Sequence, residues 1–179
     1  MKVTFIGQID YTDKELCKAV KDKVVEKVEK LIIEQGADEF VFAMISCFVD
    51  LCWVALTELK EKYPQIKRIY RGMMAKPKAK VKKMLNKCFE ECTFPKDNKS
   101  MGFYRSLIIS ESLIDESDYI IAYYDEYLET PYKYYEDVSI TMKDNGTKAQ
   151  SGTKISLNYA FRNDKKFDNI FEEGKLSFN

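Results

Sequence analysis

Histidine is missing from all 179 residues. Its absence excludes Ser-His-Asp and Cys-His catalysis and most zinc sites, which depend on an imidazole. Any chemistry would fall to carboxylates, Lys, Tyr, Cys or Ser. The five cysteines (Cys17, Cys47, Cys52, Cys88 and Cys92) are an odd number and form no C-x-x-C pair. They read as reduced, mostly buried thiols of a cytoplasmic protein. Cys88 and Cys92 would share a face on one helix, and without histidine they read as core residues, so no metal and no cofactor is expected. No apolar run approaches the roughly 18 residues of a membrane span. The N-terminus enters a strand without a signal-peptide pattern, and no membrane partner is expected. Net charge is zero, 29 Lys+Arg against 29 Asp+Glu, so no global field draws the chain to nucleic acid. There are no internal repeats and no low-complexity segments.

What is present is a soluble globular composition, 45% hydrophobic and 32% charged, long enough for one domain, residues 1–179, with a single buried core. The organising stretch is Lys2-Val3-Thr4-Phe5-Ile6 followed by Gly7-Gln8. A short apolar run ending in Gly, ahead of a long amphipathic helix, reads as the central strand of a parallel sheet. Ligands of such sheets sit beyond the carboxyl ends of the strands. Gly7, with no Cβ, would let backbone and ligand come close there.

Thr12-Asp13-Lys14-Glu15 reads as a capping box, with Tyr11 and Leu16 as its hydrophobic staple. Leu16, Val20, Val24, Val28, Leu31 and Ile32 then recur at helical spacing until Gly36. Glu39–Ile45 reads as a second strand, Asp50–Tyr63 as a second helix stopped by Pro64, and Ile66–Met73 as a third strand. A third helix begins near Pro77, with Val81, Met84, Leu85 and Cys88 on one face. A short strand at Cys92–Pro95, a helix at Arg105–Leu113 and an apolar strand at Asp118–Tyr124 follow. Residues 126–150 differ: they are rich in Tyr and charge, alternate over Val138–Met142, and carry the turn signal Asp144-Asn145-Gly146. They read as an inserted hairpin or lid. Gly152 opens a helix to Arg162, and Phe167–Phe171 is a last strand. Strands alternating with helices imply right-handed crossovers and a Rossmann-like three-layer α/β sandwich with a mainly parallel sheet.

The order VTFIG, helix, strand, Asp50, helix, YPQIK, strand, and then DESDYIIAYY and SGTKISLNYA, resembles the SLOG superfamily, Rossmann-like proteins that bind nucleotides and nucleotide-derived ligands. Gly7 falls on the glycine after the first strand, where Gln8 replaces the usual His. Asp50 falls on the acidic residue opening the second helix. Asp115 and Asp118 precede the fourth strand of the pattern, and Gly152-Thr153 with Tyr159-Ala160 match the turn and helix that close the site. The chain departs from the family in three places. Met44-Ile45-Ser46-Cys47-Phe48-Val49 stands where the family has glycines, Ile109-Ser110 where it has Arg-Asn, and Ser151 precedes the one glycine left of the closing turn. Bulk at those positions would block or reshape the approach of backbone amides to a phosphate. Either the ligand differs from a typical nucleotide or the pocket has been given up.

The resemblance implies a ligand cradle formed by Gly7, Gln8, Ser151, Gly152 and Thr153, with an anionic group at a helix N-terminus; ordinary turn glycines and a helix cap are the alternative. Asp50 could bind a ribose hydroxyl, act as a base or cap its helix. Ser46 could contact the ligand. From Lys67 to Lys87 there are nine basic residues and no acid; from Glu111 to Asp137 there are nine acids against Lys133 alone. These blocks read as solvated helix faces, a phosphate-attracting rim, or complementary patches between subunits of a homo-oligomer. Arg71, ending a strand, is placed at the rim. Tyr123 or Tyr124, at a strand end, could stack on a base, and the tyrosines of the insertion could make a protein interface. The expected function is non-catalytic binding of a nucleotide-like signal ligand. The alternatives are a protein-binding or inhibitor module on a degenerate pocket and a glycosidic-bond hydrolase. The hydrolases of this superfamily resemble PGGxGTxxE, and here Lys154, Ile155 and Ser156 follow Gly152-Thr153 without a Glu.

Overall fold

The computed structural model describes residues 1–43, 45–72, 75–96, 105–128, 133–134 and 150–171. Six strands form one all-parallel sheet. In chain order they are β1 (Lys2–Gly7), β2 (Glu39–Phe42), β3 (Lys67–Arg71), β4 (Glu91–Thr93), β5 (Tyr119–Tyr123) and, after a short pair described below, β8 (Lys166–Asn169). Their spatial order is β4-β3-β2-β1-β5-β8. The chain steps outward from β1 to β4, then returns to lay β5 against the other side of β1, with Gly7 opposite Tyr123. That reversal is the topological switch point where open α/β sheets bind ligands.

Five helices cover the sheet in the expected three layers: α1 (Lys14–Gln35), α2 (Cys47–Lys62), α3 (Ala79–Cys88), α4 (Arg105–Glu116) and α5 (Gly152–Arg162). Because strand side chains alternate, Val3, Phe5, Phe40, Phe42, Ile121 and Tyr123 join one core with α1, α2 and Leu85 of α3. Ile6, Ile120 and Ala122 pack with Ile114, Leu157 and Ala160 of α4 and α5. Val41, Ala43 and Ile69 pack with Ile109 and Leu113 of α4.

Helices α2 and α4 run longer than the sequence reading has them, and α1 and α2 are capped differently. The cap of α1 is Asp13, which accepts from the Leu16 amide at 2.9 Å, while Thr12 donates to Asp10. Tyr11 is exposed, so no staple closes over it. Gly36 ends α1 at φ +67°, the left-handed conformation glycine adopts without strain. The cap of α2 is Ser46 rather than Asp50, accepting from the Val49 amide at 3.3 Å. Val81 and Met84 of α3 are exposed; Leu85 carries its buried face. Only Cys52 is fully buried, and the other four cysteines are partly exposed. Cys88 ends α3 and Cys92 lies in β4, so they do not share a helix face. Within the insertion, β6 (Lys133–Tyr134) pairs antiparallel with β7 (Gln150–Ser151). The alternating stretch 138–142 and the turn 144–146 lie outside the described residues. Among the described residues no helix is long and apolar enough to cross a membrane.

Candidate functional site

A cavity of ≈ 250 Å³ opens at the carboxyl end of β1. Gly7-Gln8 and Gly152-Thr153, 145 positions apart in sequence, both line it, together with Ser46. The wall is completed by Phe5, Ile6, Ile45, Val49 and Leu107 on its apolar side and by Ser106, Ser110 and Ser156. The three serines are absent from the sequence-based site. Ser110 and Ser156 are 4% and 1% exposed, and each sits among the apolar residues of its helix. A hydroxyl within a buried stripe is the signal that could have marked them.

Two helices begin at this cavity and a third runs past it. Ser46 caps α2 and lines the wall, Ser151 caps α5 by accepting from the Lys154 amide at 3.2 Å, and α4 contributes Ser106, Leu107 and Ser110. The first amides of a helix lack intrahelical acceptors and carry the positive end of the macrodipole. The wall is therefore rich in hydrogen-bond donors and electropositive, while none of the described lining residues is ionisable. Among the described residues no group of three His, Cys, Asp or Glu gathers where a metal could bind.

Gly7 is glycine for a reason internal to the protein. A Cβ there would stand 2.6 Å from the Tyr123 carbonyl oxygen and 2.7 Å from Phe48 Cδ1. The missing side chain is demanded by β5 and by the buried Phe48 ring on the sheet's other face, before any ligand is considered. Phe48 is fully buried against Tyr123, ring centroids 5.6 Å apart, and does not fill the cavity.

Three of the expected site residues lie elsewhere. Asp50 is in the first turn of α2, where its charge suits the helix dipole; its surface is largely exposed, though desolvation by the surrounding protein raises its carboxyl pKa. Arg71 folds back over the sheet. It donates to Glu116 from Nε at 3.0 Å and Nη2 at 2.9 Å, and to Glu91 from Nη1 at 3.1 Å. Burial works against its charge, and the two carboxylates outweigh that and raise its pKa. Alternation puts Arg71 on the α4 face and points it down toward Glu116, which explains its distance from the cavity. Tyr123 points to the opposite face, packed between Phe48 and Phe171, and burial raises its hydroxyl pKa.

The basic block divides in the same way. Arg68 is buried, forked onto Glu90 through Nη2 at 2.8 Å and Nε at 3.3 Å, donating from Nη1 to Thr57 at 2.7 Å, and lying over the Trp53 ring. The lysines of α3 are exposed. No family model matches this sequence, and no curated protein matches it.

Proposed function

We propose that this chain binds a small nucleotide-derived ligand in the cavity above β1 without transforming it, as a sensor or a sequestering protein. The observation that carries the reading is the convergence of the Gly7-Gln8 and Gly152-Thr153 turns, with the starts of α2 and α5, on one cavity at the switch point of a parallel sheet. Donor-rich helix starts suit a phosphate, and the apolar wall of Ile6, Ile45, Val49 and Leu107 suits a ring system. Hydrolysis of a glycosidic bond draws on carboxylates to protonate the leaving group and to stabilise the developing cation; the lining offers hydroxyls and one amide instead.

A thermal-shift screen of nucleotides, cyclic dinucleotides and ADP-ribose derivatives tests the reading. A ligand specific for the folded state raises the melting temperature, by about 2.7 kcal/mol of added stability at a hundredfold excess over Kd. Silence across the panel sinks it. A second reading, a protein-binding module using the tyrosine-rich insertion, draws on Tyr127, which is 82% exposed. Silence in the screen combined with a pull-down that depends on residues 126–150 would favour it.

A further inference from the structure

Ser110 of α4 and Ser156 of α5 face one cavity from adjacent helices and are more than nine-tenths buried. Neither hydroxyl has a hydrogen-bond partner among the described residues. Both residues line the wall, so two hydroxyls without a described protein partner border the same small cavity. Ser156 lies one turn inside α5, whose first residues Gly152 and Thr153 also line the cavity, and Ser106 lines it one turn before Ser110 on α4. The start of α5 makes the local potential positive, the available groups are donors, and none of the described wall residues is a carboxylate that would repel an anion.

We propose that the part of the cavity walled by Ser110 and Ser156 is an oxyanion subsite that takes a phosphoryl or sulfuryl ester through hydroxyls and helix-start amides, with no cationic side chain among the described wall residues. The proposal rests on the reading of the cavity as a ligand site and makes that reading narrower. Two consequences separate it from a subsite built on Lys or Arg. Sulfate, which carries no proton at neutral pH, binds at least as well as phosphate, whose remaining P–OH meets a hydroxyl rather than a carboxylate as acceptor. Affinity for sulfate is also flat between about pH 6 and pH 9, because none of the described lining residues titrates in that window. Arg105, the first residue of α4, has a buried Nε without a partner among the described residues, but it is not a wall residue. It is the competing anion ligand that the test has to separate.

The probes are inorganic sulfate and phosphate, titrated by calorimetry into the full chain, with uncharged nucleosides and nucleotides run beside them. Saturable binding of both anions, with each of Ser110→Ala and Ser156→Ala weakening it roughly tenfold or more, supports the subsite, since a hydrogen bond to a charged group contributes about 1.5–3 kcal/mol. Alanine is the better helix former at both positions, so melting curves should show these variants folded. Unchanged anion binding in the double Ser→Ala variant overturns the proposal, and so does loss of binding in Arg105→Met with both serines intact. Nucleoside binding with both anions silent overturns the subsite and leaves the broader reading standing. Silence toward anions, nucleosides and nucleotides alike overturns both.

Discussion

On the side of the sheet covered by α1 and α2, Phe5 stacks on Phe42 at 5.0 Å, Phe42 meets Phe89 at 5.9 Å, and Phe48, Tyr123 and Phe171 continue the aromatic run. On the side covered by α4 and α5 the inward residues are smaller. Ala43, Ala122, Ala160, Ser110 and Ser156 alternate with isoleucine and leucine, and the core there is two separate clusters. The cavity touches both of them, through Ile6 and Ile45. Large rings close one face to ordinary interior density. Small side chains leave a gap on the other, and a gap lined by hydroxyls is one the protein can give to a guest. The rings that close the aromatic side mostly stay out of the cavity, but Phe5 and Val49 belong to that core and also line the wall, so fold and site meet at the end of β1.

Four substitutions can break or sharpen that contrast. The largest effect is expected from Phe48→Ala, which empties the centre of the aromatic side and should cost about 3–5 kcal/mol in urea unfolding. Next is Gly7→Ala. Its Cβ would meet the Tyr123 carbonyl and the Phe48 ring, and overpacking of this kind costs about 1–3 kcal/mol. Because the obstruction lies on the aromatic side, the loss should appear in denaturant midpoints with no ligand present.

A smaller effect belongs to Glu90, at the edge of the aromatic side. Burial raises its carboxyl pKa, but the hydrogen bonds from Arg68 outweigh this and hold it below the ordinary value. A carboxylate lowered in the folded state contributes stability that is fully present above its unfolded pKa, about 4.3, and is lost as pH falls toward the folded value. Glu90→Gln should therefore be the less stable protein at pH 7 and should lose less of its stability than the wild type between pH 5 and pH 3, read from urea midpoints across that range. The smallest effect is expected on the other face. Ser156→Ala should shift stability by no more than about 0.5 kcal/mol; a loss above about 1 kcal/mol would show that the hydroxyl is structural and would break the contrast.

Much of this architecture is legible in the sequence. Gly152 and Arg162 bound α5 as read, and the apolar stripe from Val20 to Ile32 places α1 correctly. Five of the nine expected site residues (Gly7, Gln8, Ser46, Gly152 and Thr153) do meet at one cavity. Of the other four, Ser151 caps α5 beside the wall, and Asp50, Arg71 and Tyr123 lie away from it for identifiable reasons. Tyr123 and Arg71 stand at strand ends, but which face each enters is set by strand phase, and a shift of one residue reverses it. Asp50 and Thr12 compete with Ser46 and Asp13 for caps only a few positions away, and local pattern does not rank such neighbours. Gly7 lines the cavity as read, and a second reason for glycine there, the clash a side chain would make with Phe48 and Tyr123, is a long-range contact no local reading contains.

The return of the chain from β4 to β5 also bears on how the molecule assembles. Val3 pairs with Tyr119, far along the sequence, so closing that contact must await most of the polypeptide. The first four strands and their helices can collapse on local crossovers, yet they bring only Phe5 to Gln8 with Ile45, Ser46 and Val49 to the future pocket. Ser106, Ser110, Gly152 and Ser156 arrive with the later half of the chain. Ligand binding should accordingly be among the last properties to return in refolding, and a bound guest would select for completed chains over partly formed ones.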